Sequence, residues 1–365
     1  MTASVVFAAL AIPGLLSLLG TAVLIRLAPR LGLIDQPSER KVHTKPTPRA
    51  GGLAIVAATV IARFFFPDLF WWHWYRWTVE PVLVFSLLIA VLGLLDDRYS
   101  LPWQVRLGIQ IAVAALAVHE CLYNADWPQQ LVAVLWVVAM TNAFNMLDNM
   151  DALLAGVAWI AAGFLGLASW LIAPRAPAYA APQAIVPYLL LMGALLGFLW
   201  FNRPPARIFM GDSGSTFLGF FLSLGAARFV HDSYPRLSIR GAKMATALSE
   251  TWGAGPRGSW AWATILAIFA VPCYDMASVI FLRLKQGRSP FHADKQHLSH
   301  RLVERGLSKP AAVGVIYLMA VASGATGLVL LFVTTPVVAA LAGGQLVVWW
   351  VAFAIVEWLS VRRSV

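Results

Sequence analysis

Eleven apolar runs, most of them about as long as a bilayer is thick, succeed one another along the chain. They cover residues 4–28, 51–66, 77–95, 103–120, 130–147, 152–172, 184–200, 213–230, 259–283, 311–333 and 337–361. A membrane-spanning helix needs about 20 apolar residues. In lipid, a spanning segment must satisfy its own backbone hydrogen bonds, which such runs do as helices. The rest of the composition agrees: 60% of the 365 residues are hydrophobic and only 12% are charged. Too few charges remain to coat a soluble globule, so a soluble enzyme, a disordered chain and a disulfide scaffold are excluded. The expected fold is all-α, a polytopic integral membrane protein of about 11 (10–11) transmembrane helices, with residues 1–365 as a single domain. The first run, Val5 to Ile25, is too long for a signal peptide and has no basic residue before it, so it reads as the first span.

Basic residues set the orientation, because they collect on the cytoplasmic side. With the N-terminus outside, 17 of the 27 lysines and arginines fall inside and six outside, the other four lying within or at the ends of spans. N-out, C-in follows, with an odd number of spans. The net charge of +10 then belongs to the membrane and not to nucleic acid. The aromatic stretch from Phe70 to Trp77 carries one arginine and no lysine, and reads as an interfacial belt. Gly253 to Gly258 spells GxGxxG, but no strand precedes it and Pro256 interrupts it. Gly193 and Gly197 form a GxxxG pair suited to close helix packing. Cys121 and Cys273 are far apart in apolar surroundings and read as packing residues.

Charges at membrane depth are costly and mark function by default. Five carboxylates stand at the inside ends of spans: Asp96 and Asp97, then Asp148 and Asp151, then Asp212. The expected topology gathers them on one face, where they repel one another unless a cation lies among them. Hard oxygen donors without a cysteine cluster suit Mg²⁺, with Mn²⁺ second. Mg²⁺ takes one or two carboxylates and completes its shell with water and substrate phosphates, so a metal-bound diphosphate fits. The competing reading makes these acids helix caps and surface charges. Basic groups share that side. Lys41, His43 and Arg49 lie in a loop stiffened by Pro46 and Pro48, and His292, Asp294, Lys295, His297 and His300 lie in the loop 284–310. Zinc is the weaker reading of the histidines, since neither cysteines nor an HExxH accompany them.

Five segments carry a family resemblance. They are Asp35 to Gly52, Gly93 to Asp97, Asn142 to Asp151, Asn202 to Ser215, and Ser289 to His300. In this order and spacing the chain resembles the polyprenyl-phosphate N-acetylhexosamine-1-phosphate transferase superfamily, also called glycosyltransferase family 4. The resemblance implies a Mg²⁺-dependent enzyme in a bacterial-type cytoplasmic (inner) membrane. It would transfer a sugar 1-phosphate, foremost N-acetylglucosamine 1-phosphate, from a UDP-sugar to undecaprenyl phosphate at the cytoplasmic face. UMP would be released and cell-envelope polysaccharide synthesis begun. The implied partners are a UDP-sugar, a polyprenyl phosphate and the lipid bilayer, with a second copy of the chain left open and nucleic acid excluded. On this pattern Asp96, Asp97, Asp148 and Asp151 are the catalytic acids, and Asp212, with Asp96 and Asp97, the metal ligands. Lys41, His43, Arg49, Asn142, Asn145, Arg207, His297 and His300 are the substrate-binding residues.

Two departures stand out. The family has Asp-Gly-x-Asp-Gly where this chain has Asp148-Asn149-Met150-Asp151-Ala152, and it has adjacent histidines where Ser299 precedes His300. Asp275 also matches a family position, yet lies inside the ninth run and reads as a buried structural acid. Two other functions compete: the phospho-N-acetylmuramoyl-pentapeptide transferase of peptidoglycan synthesis, from the same superfamily, and an ion-coupled membrane transporter. A transporter puts its acids near the bilayer midplane on discontinuous helices; a transferase gathers them at one face.

Overall fold

The computed structural model describes residues 2–36, 46–66, 73–123, 125–172, 180–233, 260–290, 296–332, 344–345 and 347–355. Lys41 and His43 lie outside the described residues, as do His292, Asp294, Lys295, the glycine-rich stretch 253–258 and residues 70–72 of the aromatic belt.

The described chain is nearly all helical. It runs α1 (Ala3–Leu31), α2 (Gly51–Arg63), α3 (His73–Tyr99), α4 (Trp103–Cys121), α5 (Trp127–Leu147) and α6 (Leu153–Ile172). It continues through α7 (Ala180–Asn202), α8 (Asp212–Ser233), α9 (Ala261–Ile268), α10 (Ala270–Lys285), α11 (Leu298–Glu304) and α12 (Lys309–Leu330). The first ten apolar runs each overlie helix. Local chemistry sets several ends. Gly32, in the left-handed region at φ 69°, closes α1. Asp126 caps α5 by accepting the Gln129 N–H at 2.9 Å, with Pro128 in the first turn.

Among the described residues six helices are long and apolar enough to cross a membrane, and the pair α9 and α10, bent by 73° at Phe269, makes up to seven. This is fewer than the eleven spans expected, for readable reasons. At 13 residues, α2 is too short. Helix α4 carries Arg106, His119 and Glu120 within its length. The eleventh run is described only at 344–345 and 347–355, which are helical.

The bundle closes around α8. Of its apolar window 89% is buried, against 22% for α1. Helices α3 and α5 flank α8, while α1 packs on α7, and α7 on α6. The GxxxG pair works as read: a Cβ on Gly193 would lie 2.3 Å from the Leu10 carbonyl, and one on Gly197 2.2 Å from that of Gly14.

The all-α expectation needs one correction. Ile34–Asp35 (β1) and Thr47–Pro48 (β2) pair antiparallel, and Arg49 bridges to Phe209. The Arg49 N–H donates to Leu33 O, Phe209 N–H to Pro48 O, and Gly51 and Gly52 N–H to the carbonyls of Phe209 and Met210. Pro48 lacks an N–H, so this stretch is barred from helix interiors but can accept in a ribbon. The ribbon stitches residues 33–35, 47–52 and 209–210 together and delivers Arg49 to the start of α8.

Candidate active site

The site is built on the N-terminus of α8. A helix start leaves backbone N–H groups without partners. Here the cap comes from another helix: Asp97, near the end of α3, accepts the N–H of Asp212 at 3.0 Å and of Ser213 at 3.1 Å. Its carboxylate is 1% exposed and also meets Arg49 Nε at 2.9 Å. Gly211, at φ 78°, turns the chain into α8, and a Cβ there would fall 2.8 Å from Asp97 Oδ2.

Two guanidiniums thread the acids. Arg49 reaches Asp212 at 2.5 Å as well as Asp97. Arg106, in the first turn of α4, pairs with Asp96 and lies 3.5 Å from Asp212. Asp96 also accepts the Leu101 N–H at 2.8 Å. Burial works against the charge on Arg49, but Asp212, Asp97, Asp35 and Asp148 more than compensate and hold its pKa above the usual value. Both arginines keep about a third of their side chains exposed.

The second acidic motif occupies the turn between α5 and α6. Burial pushes the Asp148 carboxyl up to about 7, against the attraction of Arg49 and a hydrogen bond from the Gly211 backbone, with Asp97 and Asp151 adding to the rise. Asp151 accepts the Ala206 N–H at 3.0 Å. Asn202 clamps this turn to the chain before α8, accepting the Ala152 N–H and donating to Ile208 O, both at 2.9 Å. Tyr317 from α12 donates to the Ala152 carbonyl at 2.5 Å. Ala152 itself sits at φ 64°, the left-handed region that favours the glycine this chain lacks.

The remaining sequence-predicted residues divide. Asn145 joins the centre, accepting the Ser215 hydroxyl at 2.7 Å. Asn142 ties α5 to α4, its amide donating to Gln110 and to Val138 O. The Arg207 side chain is exposed, and among the described residues no contact ties it to the acids. His297 is buried, its Nδ1 2.9 Å from Asp275, which also accepts the Leu298 N–H at 2.7 Å. His300 stands a turn away, with ring centroids 6.5 Å apart. Asp275 is wholly buried, as expected of a structural acid, and holds His297 in place.

Sequence reasoning missed Arg106, Asn202, Ser215 and Tyr317. A signal existed for Arg106: a lone guanidinium in the first turn of an apolar helix, ten residues after an acid, seeks a partner. The others are ordinary residues whose role is visible only in the fold.

The donor set for a metal is all oxygen. Among the described residues no three carboxylate, histidine or cysteine side chains are arranged to hold an ion by themselves. Asp97 and Asp212 nonetheless converge within reach of one guanidinium, and Ser213 Oγ is buried beside them without a partner. Such a pair fits an ion that takes one or two carboxylates and completes its shell with substrate phosphate. It does not fit a closed, all-protein cage.

Comparison with known proteins identifies the family. Residues 80–229, which hold all five acids and Arg106, match glycosyl transferase family 4. A probable undecaprenyl-phosphate N-acetylglucosaminyl 1-phosphate transferase of Bacillus subtilis is 33% identical over 82% of this chain and 77% of its own length. A decaprenyl-phosphate N-acetylglucosaminephosphotransferase of Mycolicibacterium smegmatis is 35% identical over 80% and 74%. An undecaprenyl-phosphate alpha-N-acetylglucosaminyl 1-phosphate transferase of Escherichia coli K12 is 28% identical over 81% and 76%.

Proposed function

Because the chain belongs to glycosyl transferase family 4, we propose that it transfers N-acetylglucosamine 1-phosphate from UDP-N-acetylglucosamine to a polyprenyl phosphate and releases UMP. The observation that carries the reading is the convergence of Asp97 and Asp212 on Arg49 at the start of α8, with Arg106 beside them. We read residues 1–365 as one domain of eleven spans with its N-terminus outside. The acid cluster then faces the cytoplasm of a bacterial-type inner membrane, where UDP-sugars are made. The positions of all five acids at or beside helix ends favour this over a midplane transport site.

The chemistry needs positioning and charge neutralisation more than covalent help. An oxygen of the lipid phosphate forms a bond to the sugar-linked phosphorus. The bond from that phosphorus to UMP breaks, and UMP leaves with the electron pair. A phosphate monoester has a second pKa of about 6, so near neutral pH the nucleophile is already mostly dianionic and needs no strong base. Arg49 and Arg106, each partly exposed, neutralise and orient the phosphates as these displace them from the carboxylates. Asp97 holds the α8 N-terminus, whose dipole favours the same anions. Mg²⁺ held by Asp212 and Asp97, with Asp96 nearby, would supply Lewis-acid stabilisation of the leaving phosphate. Asn145, His297 and His300 are assigned to substrate binding in this reading, and the apolar flanks of the bundle suit the polyprenyl tail.

The test is the reaction. Purified protein with UDP-N-acetylglucosamine, undecaprenyl phosphate and Mg²⁺ should yield UMP and a lipid-linked sugar 1-phosphate in equal amounts, read by mass. Both should vanish with EDTA and in Asp97→Asn. No turnover by folded protein with any UDP-N-acetylhexosamine would overturn the reading.

A further inference from the structure

We propose that Asn149 and Ser299 form a strut holding α11 in register with the acidic turn, and that both are positioning residues for the transfer reaction. The inference rests on the transferase reading. Ser299 lies two residues after His297 and one before His300; Asn149 lies between Asp148 and Asp151. The Ser299 hydroxyl donates to Asn149 Oδ1 at 2.5 Å, and Asn149 Nδ2 donates to the Met146 carbonyl at 2.9 Å. Two hydrogen bonds therefore run in series from the last turn of α5 to the first turn of α11. Any shift of either residue moves an acid on one side or a histidine on the other.

Ser299 is 1% exposed, so its hydroxyl cannot exchange this partner for water without cost. The strut is not what keeps α11 folded. Asp275 takes the Leu298 N–H and His297, while Arg301 donates to the Gln296 carbonyl and, at 2.8 Å, to Ser278. Those bonds fasten α11 to α10; the strut fastens it to the acids. Its loss would leave α11 formed but free to slide relative to Asp148 and Asp151. Two of the three positions where the chain departs from the family pattern thus meet at one hydrogen bond, which the glycine expected at 149 could not make.

A double-mutant cycle tests this, with turnover normalised to folded protein. In the same UMP-release assay, wild type must first turn over; its failure to do so overturns the transferase reading and this inference with it. Given wild-type activity, Asn149→Ala and Ser299→Ala should each lower kcat about tenfold, the worth of one net hydrogen bond. KM for the donor should stay within about twofold, since the loss is of alignment and not of contact. The double variant should be no slower than either single, and Ser299→Thr, which keeps the hydroxyl, should restore most of the rate. Unchanged kcat in the singles, a multiplicative loss of about a hundredfold in the double, or no recovery in Ser299→Thr would overturn it.

Discussion

Gly211→Ala probes the join between Asp97 and α8. Two costs add. An L-residue in the left-handed region costs about 1 kcal/mol, and Gly211 sits at φ 78°. The new Cβ would also lie 2.8 Å from Asp97 Oδ2, where ordinary contact begins at 3.4 Å, so the carboxylate must retreat by about 0.6 Å. It cannot retreat freely, because it holds the Asp212 and Ser213 N–H groups and Arg49. Weakening one hydrogen bond to a charged group costs about 1.5–3 kcal/mol, so the total loss of stability is about 2.5–4 kcal/mol. A 1 Å misplacement in an active site can cost about a hundredfold in rate, so kcat should fall about ten- to a hundredfold. UMP release under saturating donor and acceptor gives kcat, and thermal unfolding in detergent gives the stability. A variant with wild-type kcat and an unchanged midpoint would refute the reasoning, because Asp97 would then not be pinned against residue 211.

Ala152→Gly should act in the opposite sense. Relief of the left-handed backbone, about 1–2 kcal/mol, outweighs the roughly 0.5–1 kcal/mol of extra chain entropy, so the unfolding midpoint should rise, and a fall would contradict it. Arg106→Ala should cut kcat/KM at least about tenfold through loss of a charge-assisted phosphate contact, with partial recovery in Arg106→Lys; wild-type UMP release from the alanine variant would remove Arg106 from the site. Asp148 has a raised pKa of about 7: protonated in both states at low pH it costs nothing, and ionised in both above 7 it costs fully. Metal-free protein should therefore lose stability as pH climbs from about 4 to 7, and Asp148→Asn should flatten that part of the midpoint profile. Calorimetric binding of UDP-N-acetylglucosamine should weaken in EDTA by about 5- to 150-fold, the usual range of coupling between two ligands; equal affinity with and without Mg²⁺ would show that donor and metal bind independently.

Much of this arrangement was legible in the sequence, because hydropathy reports lipid-facing and core-facing helices directly. The first ten runs located helices, and the breakers between them located Asp97, Asp148 and Asp212 at helix ends. Contacts at long sequence separation were not legible. Nothing local announces that Asp97 caps a helix 115 residues later, or that Arg49 is carried there by a ribbon only two residues long on each side. The break at Phe269 had a local hint in Pro272, but an unbroken apolar run masked it. The missing glycine at 152 was readable as a departure; that the turn still takes the glycine conformation was not.

The pairing of acids with arginines changes the electrostatic argument for a metal. Five carboxylates on one face require positive charge, but the protein already supplies two guanidiniums, one shared by Asp97 and Asp212 and the other by Asp96 and Asp212. The five acids still outnumber these two cations, and the raised pKa of Asp148 reflects in part its acidic neighbours Asp97 and Asp151. A diphosphate adds further negative charge to this excess. A bound diphosphate would compete with these carboxylates for Arg49 and Arg106, and so leave Asp97 and Asp212 less shielded. Under the proposed reading Asp97 and Asp212 would hold Mg²⁺, which would supply the balancing charge, and two carboxylates would suffice because substrate phosphate completes its shell.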